Sequence, residues 1–200
     1  MQAQPVIIVL AAGHGSRFEG ADHKLMQHFG GSTVLGATLT AAVASGLPVV
    51  VVARPDLADL AAGQLARRDV VLLEPDATAA GRSGMGTSIA AGVAARGDAA
   101  GWLVLPGDMP LVRPETLRAV AAGLEQSPVV YAQFRGRRGH PVAFGPELYS
   151  ELARLQGDEG ARRLVARYPS LAVDVDDPGV RIDIDTKDDL ARARHLRERA

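Results

Sequence analysis

The sequence predicts a three-layer, doubly wound α/β fold with a mostly parallel sheet, and three observations carry that reading. Short aliphatic, β-branched runs recur as uninterrupted apolar stretches, the pattern of strands buried on both faces. Longer Ala- and Leu-rich segments of helical character separate them. Their alternation is that of right-handed βαβ crossovers. Composition agrees: the 200 residues are 47% apolar but only 4% aromatic, so the core must come from Ala, Val and Leu. A chain this long buries about 70% of its unfolded surface and needs no disulfide or structural metal, so one domain over residues 1–200 is expected. Cysteine is absent, which excludes thiol catalysis, Cys-ligated zinc and iron–sulfur clusters and suits a reducing cytoplasm. A net charge of -1 gives no field that would collect nucleic acid or an anionic membrane. With neither a signal peptide nor a membrane span in the pattern, a cytoplasmic protein with small-molecule or protein partners is expected.

The first strand covers residues 6–10 and runs into Leu10-Ala11-Ala12-Gly13-His14-Gly15-Ser16-Arg17-Phe18, with Lys24 beyond. A glycine-rich turn after a buried strand aims backbone N–H groups at one phosphate, and Arg17 and Lys24 add positive charge. The dinucleotide fingerprint fails because Phe18 stands at its third glycine, and the Walker ending Gly-Lys-Ser/Thr is missing. Read alone, the segment is also a plain glycine turn with solvated basic residues. Against this, only Lys24 and Lys187 among the 22 basic residues are lysine, so a compact ammonium retained in this loop suggests a need for one.

A helix over 33–45, a strand over 49–52, a helix over 56–68 behind Pro55 and a strand over 70–73 follow. The stretch Gly81-Arg82-Ser83-Gly84-Met85-Gly86-Thr87-Ser88 opens a helix over 87–96; its small residues permit close backbone approach, and it is otherwise an ordinary capped loop. A strand over 103–105 leads to Asp108, at the carboxyl edge of the sheet where open α/β folds bind ligands. A helix over 114–126 begins with Pro114. Strands over 129–134 and 141–144, joined by the basic turn 135–139, read as an antiparallel hairpin inserted in or bordering the sheet. A helix pair over 146–168, acidic strands over 171–176 and 180–185, and a helix from Thr186 complete the chain. Asp185 closes the second acidic strand, and Asp183 shares its strand face. Two carboxylates such as Asp108 and Asp185, brought together, would hold Mg²⁺ and leave positions for water and phosphate oxygens. Taken singly, each Asp is equally a turn or helix-cap residue.

Six blocks then stand in order: the 10–18 loop with its lysine, Gly84-Met85-Gly86-Thr87-Ser88-Ile89, Pro106-Gly107-Asp108-Met109-Pro110-Leu111-Val112, Gly139-His140-Pro141-Val142, Gly157-Asp158-Glu159-Gly160-Ala161-Arg162, and Asp183-Ile184-Asp185-Thr186. Together they resemble the MobA/MocA-like NTP transferase family, most closely its molybdenum cofactor cytidylyltransferases, over nearly the whole chain. The resemblance implies a nucleotide-diphospho-sugar-transferase-like fold and transfer of CMP from CTP to the terminal phosphate of molybdopterin, with pyrophosphate released. It implies Asp108 and Asp185 as Mg²⁺ ligands, Arg17, Lys24 and Asp108 as catalytic groups, and Leu10, Ala11, Ala12, Gly13, Gly15, Ser16, Gly84 and Ser88 around the nucleotide. His140 and Asp158 fall on the acceptor side. Leu10-Ala11-Ala12-Gly13 resembles the cytidylyltransferase form of the loop, where guanylyltransferases carry Leu-Ala-Gly-Gly. The alternatives are a guanylyl- or sugar-phosphate nucleotidyltransferase on the same loop and metal pair, or a non-catalytic carrier delivering molybdenum cofactor to a hydroxylase-type apoenzyme.

Overall fold

The computed structural model describes residues 3–15, 18, 23–73, 84–158 and 160–199. Four parallel strands form one half of the sheet: β1 (Val6–Ala11), β4 (Val49–Ala53), β5 (Val70–Leu72) and β6 (Trp102–Pro106). Between them lie a small antiparallel ladder, β2 (His28–Phe29) with β3 (Ser32–Thr33), and the helices α1 (Val34–Ala44), α2 (Ala58–Ala62) and α3 (Met85–Ala95). Helix α4 (Pro114–Ala122) leads into β7 (Val129–Phe134) and β8 (Arg137–Phe144), and β9 (Ser170–Asp174) follows α5 (Tyr149–Leu152) and α6 (Arg162–Arg167). Helix α7 (Lys187–Glu198) comes last. The sheet order is β5-β4-β1-β6-β8-β7-β9, and β8 alone among these strands runs against the rest. The expected inserted hairpin is therefore present, with β8 wedged between β6 and β7.

Alternation along β1 splits the core in two. Ile7 and Val9 face one layer with α1, α4 and α7, while Ile8 faces the other with α3, α5 and α6; all three are fully buried. Each such aliphatic side chain withdrawn from water contributes about 1.5–3 kcal/mol, so strands without a polar face are stable only between two helical layers. Trp102, buried on the α3 side, donates its ring N–H to the Arg96 carbonyl at 2.9 Å. Among the described residues no helix is long and apolar enough to cross a membrane.

Several expected elements are shorter than their sequence pattern. The helix expected over 56–68 stops at Ala62, where Gly63 ends it, and Ala66 is extended. Residues 149–167 hold two short helices separated by a loop with positive φ at Gly157 and Gly160. The hairpin turn is Arg135-Gly136 alone, with φ of 48° and 73°, so Arg137, Arg138, Gly139 and His140 lie on β8 rather than in a basic loop. The second acidic strand does not form: Pro178–Arg181 is a single 3₁₀ turn and residues 182–185 are irregular. Asp183 and Asp185 thus share no strand face.

Three anchors hold that last segment. Asp177, buried at 2% exposure, accepts from the Gly179 N–H (2.9 Å), the Arg113 N–H (2.9 Å) and the Thr116 hydroxyl (2.7 Å), capping α4 from a distant part of the chain. The Val180 carbonyl packs so closely on Gly139 that a Cβ there would overlap it. Thr186 and Asp189 form a reciprocal capping box that starts α7. At its other end α7 returns to the ladder: Arg194 donates twice to the His28 carbonyl (2.6 and 3.1 Å) and Arg197 to the Phe29 carbonyl (3.1 Å).

Candidate active site

β1 and β6 are parallel neighbours, so the loops leaving their carboxyl ends emerge side by side. Two hydrogen bonds fix the second loop against the first. The Gly107 N–H donates to the Leu10 carbonyl at 2.8 Å, and the buried Thr38 hydroxyl donates to the Gly107 carbonyl at 2.9 Å. Asp108 follows directly. Across from it, the Ile184 N–H donates to the Asp108 carbonyl at 3.0 Å, which brings Asp185 alongside. A 3₁₀ turn at Lys24–Met26 delivers the third member. The Lys24 ammonium bridges both acids, 2.6 Å from Asp108 Oδ2 and 2.7 Å from Asp185 Oδ1. Residues 24, 108 and 185 thus meet at one point.

Charge at this point is unbalanced. Burial pushes the Lys24 ammonium toward deprotonation, but the charge and hydrogen bonds of Asp108 and Asp185 together hold its pKa above the ordinary lysine value. Asp108 is shifted upward: burial is the largest cause, the Lys24 ammonium opposes it, and the charges of Asp183 and Asp185 add to it. The Lys24 ammonium is thus shared by two carboxylates, and the Asp183 charge acts on Asp108 as well. Asp108 Oδ1 is buried with no hydrogen-bond partner among the described residues. An orphaned hard oxygen beside surplus negative charge suits a divalent cation of the Mg²⁺ type. Among the described residues no three His, Asp or Glu side chains are grouped to hold a metal alone, so phosphate oxygens and water would have to complete its coordination.

These groups line a cavity of about 800 Å³. Leu10, Ala12, Gly13, Gly15, Gly84, Ser88, His140 and Asp158 all line it, together with Lys24, Asp108 and Asp185. Ala11 does not: strand alternation turns its side chain into the core, where it is 1% exposed. Ser16, Arg17 and residues 81–83 lie outside the described residues. Gly84 has a structural duty, since a Cβ there would strike the Gly157 backbone, and the Gly86 N–H donates to the Gly157 carbonyl at 2.8 Å. The small residues expected to admit a base or ribose here make room for the Gln156–Gly157 backbone, next to Asp158. The Ser88 hydroxyl donates to the Gly84 carbonyl at 3.2 Å.

Three arginines given no site role in the sequence reading also belong to the cavity. Arg138, Arg162 and Arg181 line it, and the Arg138 guanidinium stacks 4.1 Å above the Tyr131 ring. Arg138 was hidden by its assignment to a turn; period-2 alternation from His140 back along β8 is the signal that would have found it. His23 fits no ligand spacing, yet it contacts both the glycine loop and the turn at Lys24.

Burial lowers the pKa of His23 and of His140 below 6.5, so both are neutral in the folded chain and gain protons on unfolding. Their neutrality stabilises the fold fully above pH 6.5, and that contribution is lost as pH falls toward the folded-state values. The melting temperature should therefore drop between about pH 7.5 and about pH 5.5 in a thermal-unfolding series; a rise over that window would contradict the neutral assignment.

Comparison with known proteins agrees with this geometry. Residues 7–173 match the family described as the MobA-like NTP transferase domain. The crystal structure of Rv0371c from Mycobacterium tuberculosis H37Rv is 30% identical, with a TM-score of 0.81 over 96% of this chain and 98% of that one. Its complex with manganese gives a TM-score of 0.77 over the same shares. A nucleotidyl transferase from Methanothermobacter thermautotroptrophicus, Mth528, is 26% identical, with a TM-score of 0.77 and 98% of both chains covered. The bifunctional protein GlmU of Halorhodospira halophila is 34% identical over 123 residues, 62% of this chain, and the match spans 25% of that protein's length.

Proposed function

The chain belongs to the MobA-like NTP transferase domain family and is a nucleotidyltransferase, and on that premise we propose that it transfers CMP from CTP to the terminal phosphate of molybdopterin, or of its molybdenum-loaded form, releasing pyrophosphate. One observation carries the catalytic reading: the Lys24 ammonium between Asp108 and Asp185, at the mouth of the Gly13–Gly15 loop in a single cavity. An acceptor phosphate oxygen attacks the α-phosphorus of the nucleotide, forming one P–O bond as the bond to pyrophosphate breaks. No covalent link to the protein is needed, so catalysis is placement and charge stabilisation.

In this reading backbone N–H groups of residues 12–16 and the Arg17 side chain would hold the triphosphate. Lys24 neutralises charge developing on the α-phosphate. Asp108 and Asp185 hold a divalent cation, Mg²⁺ in this reading; the related Rv0371c crystallised with manganese supports a metal of this charge. The cation, when bound, neutralises phosphate oxygens and steadies the leaving group. His140, on β8 with Nδ1 buried and unpartnered among the described residues, and Asp158 contact the acceptor.

The test is an NTP panel with molybdopterin and Mg²⁺, read as pyrophosphate release. CTP should exceed GTP at least tenfold in kcat/KM, a gap of about 1.4 kcal/mol. The Ala12 methyl narrows the cavity wall against a purine, and Ala12→Gly should raise GTP use. Equal use of both nucleotides overturns the cytidylyl assignment. Turnover with a sugar phosphate in place of molybdopterin overturns the acceptor, and pterin binding without pyrophosphate release makes the protein a cofactor carrier.

Lys24→Ala should lower kcat by about a hundredfold, a barrier increase of about 2.7 kcal/mol, while changing the KM for nucleotide far less. Its charge is needed most when the α-phosphate becomes crowded and more negative. Steady-state kinetics showing a pure KM effect would make Lys24 a ground-state binder.

A further inference from the structure

Gly13 of the glycine loop and His23 at the start of the Lys24 turn are ten residues apart, and the His23 side chain joins the two segments. His23 Nδ1 accepts the Leu25 N–H at 3.2 Å, capping the Lys24–Met26 turn. A ring nitrogen that accepts carries no proton, so the proton of the neutral imidazole is on Nε2. Nε2 lies 3.0 Å from the Gly13 carbonyl and donates to it. The ring also fills the space beneath Gly15, whose φ is 62°; a Cβ on that residue would meet Nε2 at 3.0 Å and Lys24 Cγ at 3.4 Å. Burial disfavours the imidazolium, which would lose the bond to Leu25.

We propose that His23 is a positioning residue that sets the donor-forward orientation of the phosphate-binding loop. The physical reason lies in the peptide plane. A trans peptide is planar, with its carbonyl and the following N–H pointing in opposite directions. Fixing the Gly13 carbonyl on His23 therefore fixes the direction of the His14 N–H. A loop that binds phosphate through amides depends on that direction, because a flipped peptide presents an oxygen to the anion and repels it. Glycine on both sides of His14 leaves this peptide otherwise free to flip. The same ring sets the start of the Lys24 turn, so donor amides and ammonium are held in one frame. The inference rests on the nucleotidyltransferase reading only in taking the loop's ligand to be a polyphosphate.

Two substitutions separate the ring's contacts. His23→Asn keeps an acceptor near the Nδ1 position and so preserves the turn, but it is too short to reach Gly13. His23→Gln is long enough to donate to Gly13. Calorimetric titration with inorganic triphosphate and Mg²⁺ isolates the loop from base recognition. His23→Asn should weaken triphosphate binding about tenfold with an unchanged melting temperature, and His23→Gln should recover most of the loss. With CTP, the KM should move and kcat much less. Nitrogen-detected NMR of the wild-type imidazole should show the proton on Nε2. Wild-type affinity in His23→Asn, or a proton on Nδ1, overturns the proposal. Absence of triphosphate binding by the wild-type protein overturns it together with the loop's role. Triphosphate binding that follows the expected series without any transfer from CTP upholds it and defeats only the cytidylyl reaction.

Discussion

Asp108→Ala is expected to reduce turnover at least about a thousandfold, an increase in the activation barrier of about 4 kcal/mol, with the fold intact. The carboxylate sits two residues beyond β6 and its position is set by main-chain bonds through Gly107 and Ile184, none of which needs its side chain. Removing it leaves Asp185 as the ion-pair partner of Lys24 among the described residues and deletes the orphaned oxygen offered to a cation. Circular dichroism and melting temperature should therefore stay close to wild type while pyrophosphate release disappears. Near-normal turnover at saturating Mg²⁺ would remove Asp108 from the reaction.

The largest stability loss outside the aliphatic core is expected at Asp177. Asp177→Ala strands the Arg113 and Gly179 amides and the Thr116 hydroxyl, which is 3% exposed, without an acceptor. Unsatisfied buried donors cost about 1–3 kcal/mol each, partly relieved by relaxation, so a total near 3–4 kcal/mol follows. For a chain of this size that lowers the melting temperature by roughly 6–16 °C. Asp177→Asn should fall between, because its amide oxygen serves one side of the network while its NH₂ confronts a donor on the other. Calorimetry showing a change below about 1 kcal/mol would mean that water replaces the carboxylate. The loss should reach the site too, since the segment Asp177 pins ends at Asp185.

The parallel half of the sheet was legible because its central strands β1, β4 and β6 are buried on both faces, and continuous runs such as Val49–Ala53 have no other use. Lys24 and Asp108 stood out in the sequence as an uncommon lysine after a glycine loop and an acid beyond a strand end, whereas Asp185 was read at the end of a strand that does not form. The rest depended on partners far away in sequence. Gly63 ends α2 and was overlooked inside an apolar pattern. The Arg135-Gly136 turn was overestimated because three arginines resemble a loop, although two positive-φ residues suffice and Arg137 and Arg138 already belong to β8. The acidic stretch 180–185 alternates as a strand does, but no described neighbour pairs with it, since Asp177 and Gly139 engage the residues just before it. His23 was invisible because its role lies in two contacts with main-chain atoms, and no side-chain pattern records those.

The return of α7 to the β2–β3 ladder changes how the carboxyl end of the chain responds to truncation. Here the guanidiniums of Arg194 and Arg197 hold main-chain oxygens that follow the Lys24 turn by only a few residues, while the helix begins next to Asp185. A stop codon ahead of position 194 would therefore act as a lesion of the lysine's support from a distance. In a library of deletion variants, those that remove Arg194 and Arg197 should lose turnover together with stability.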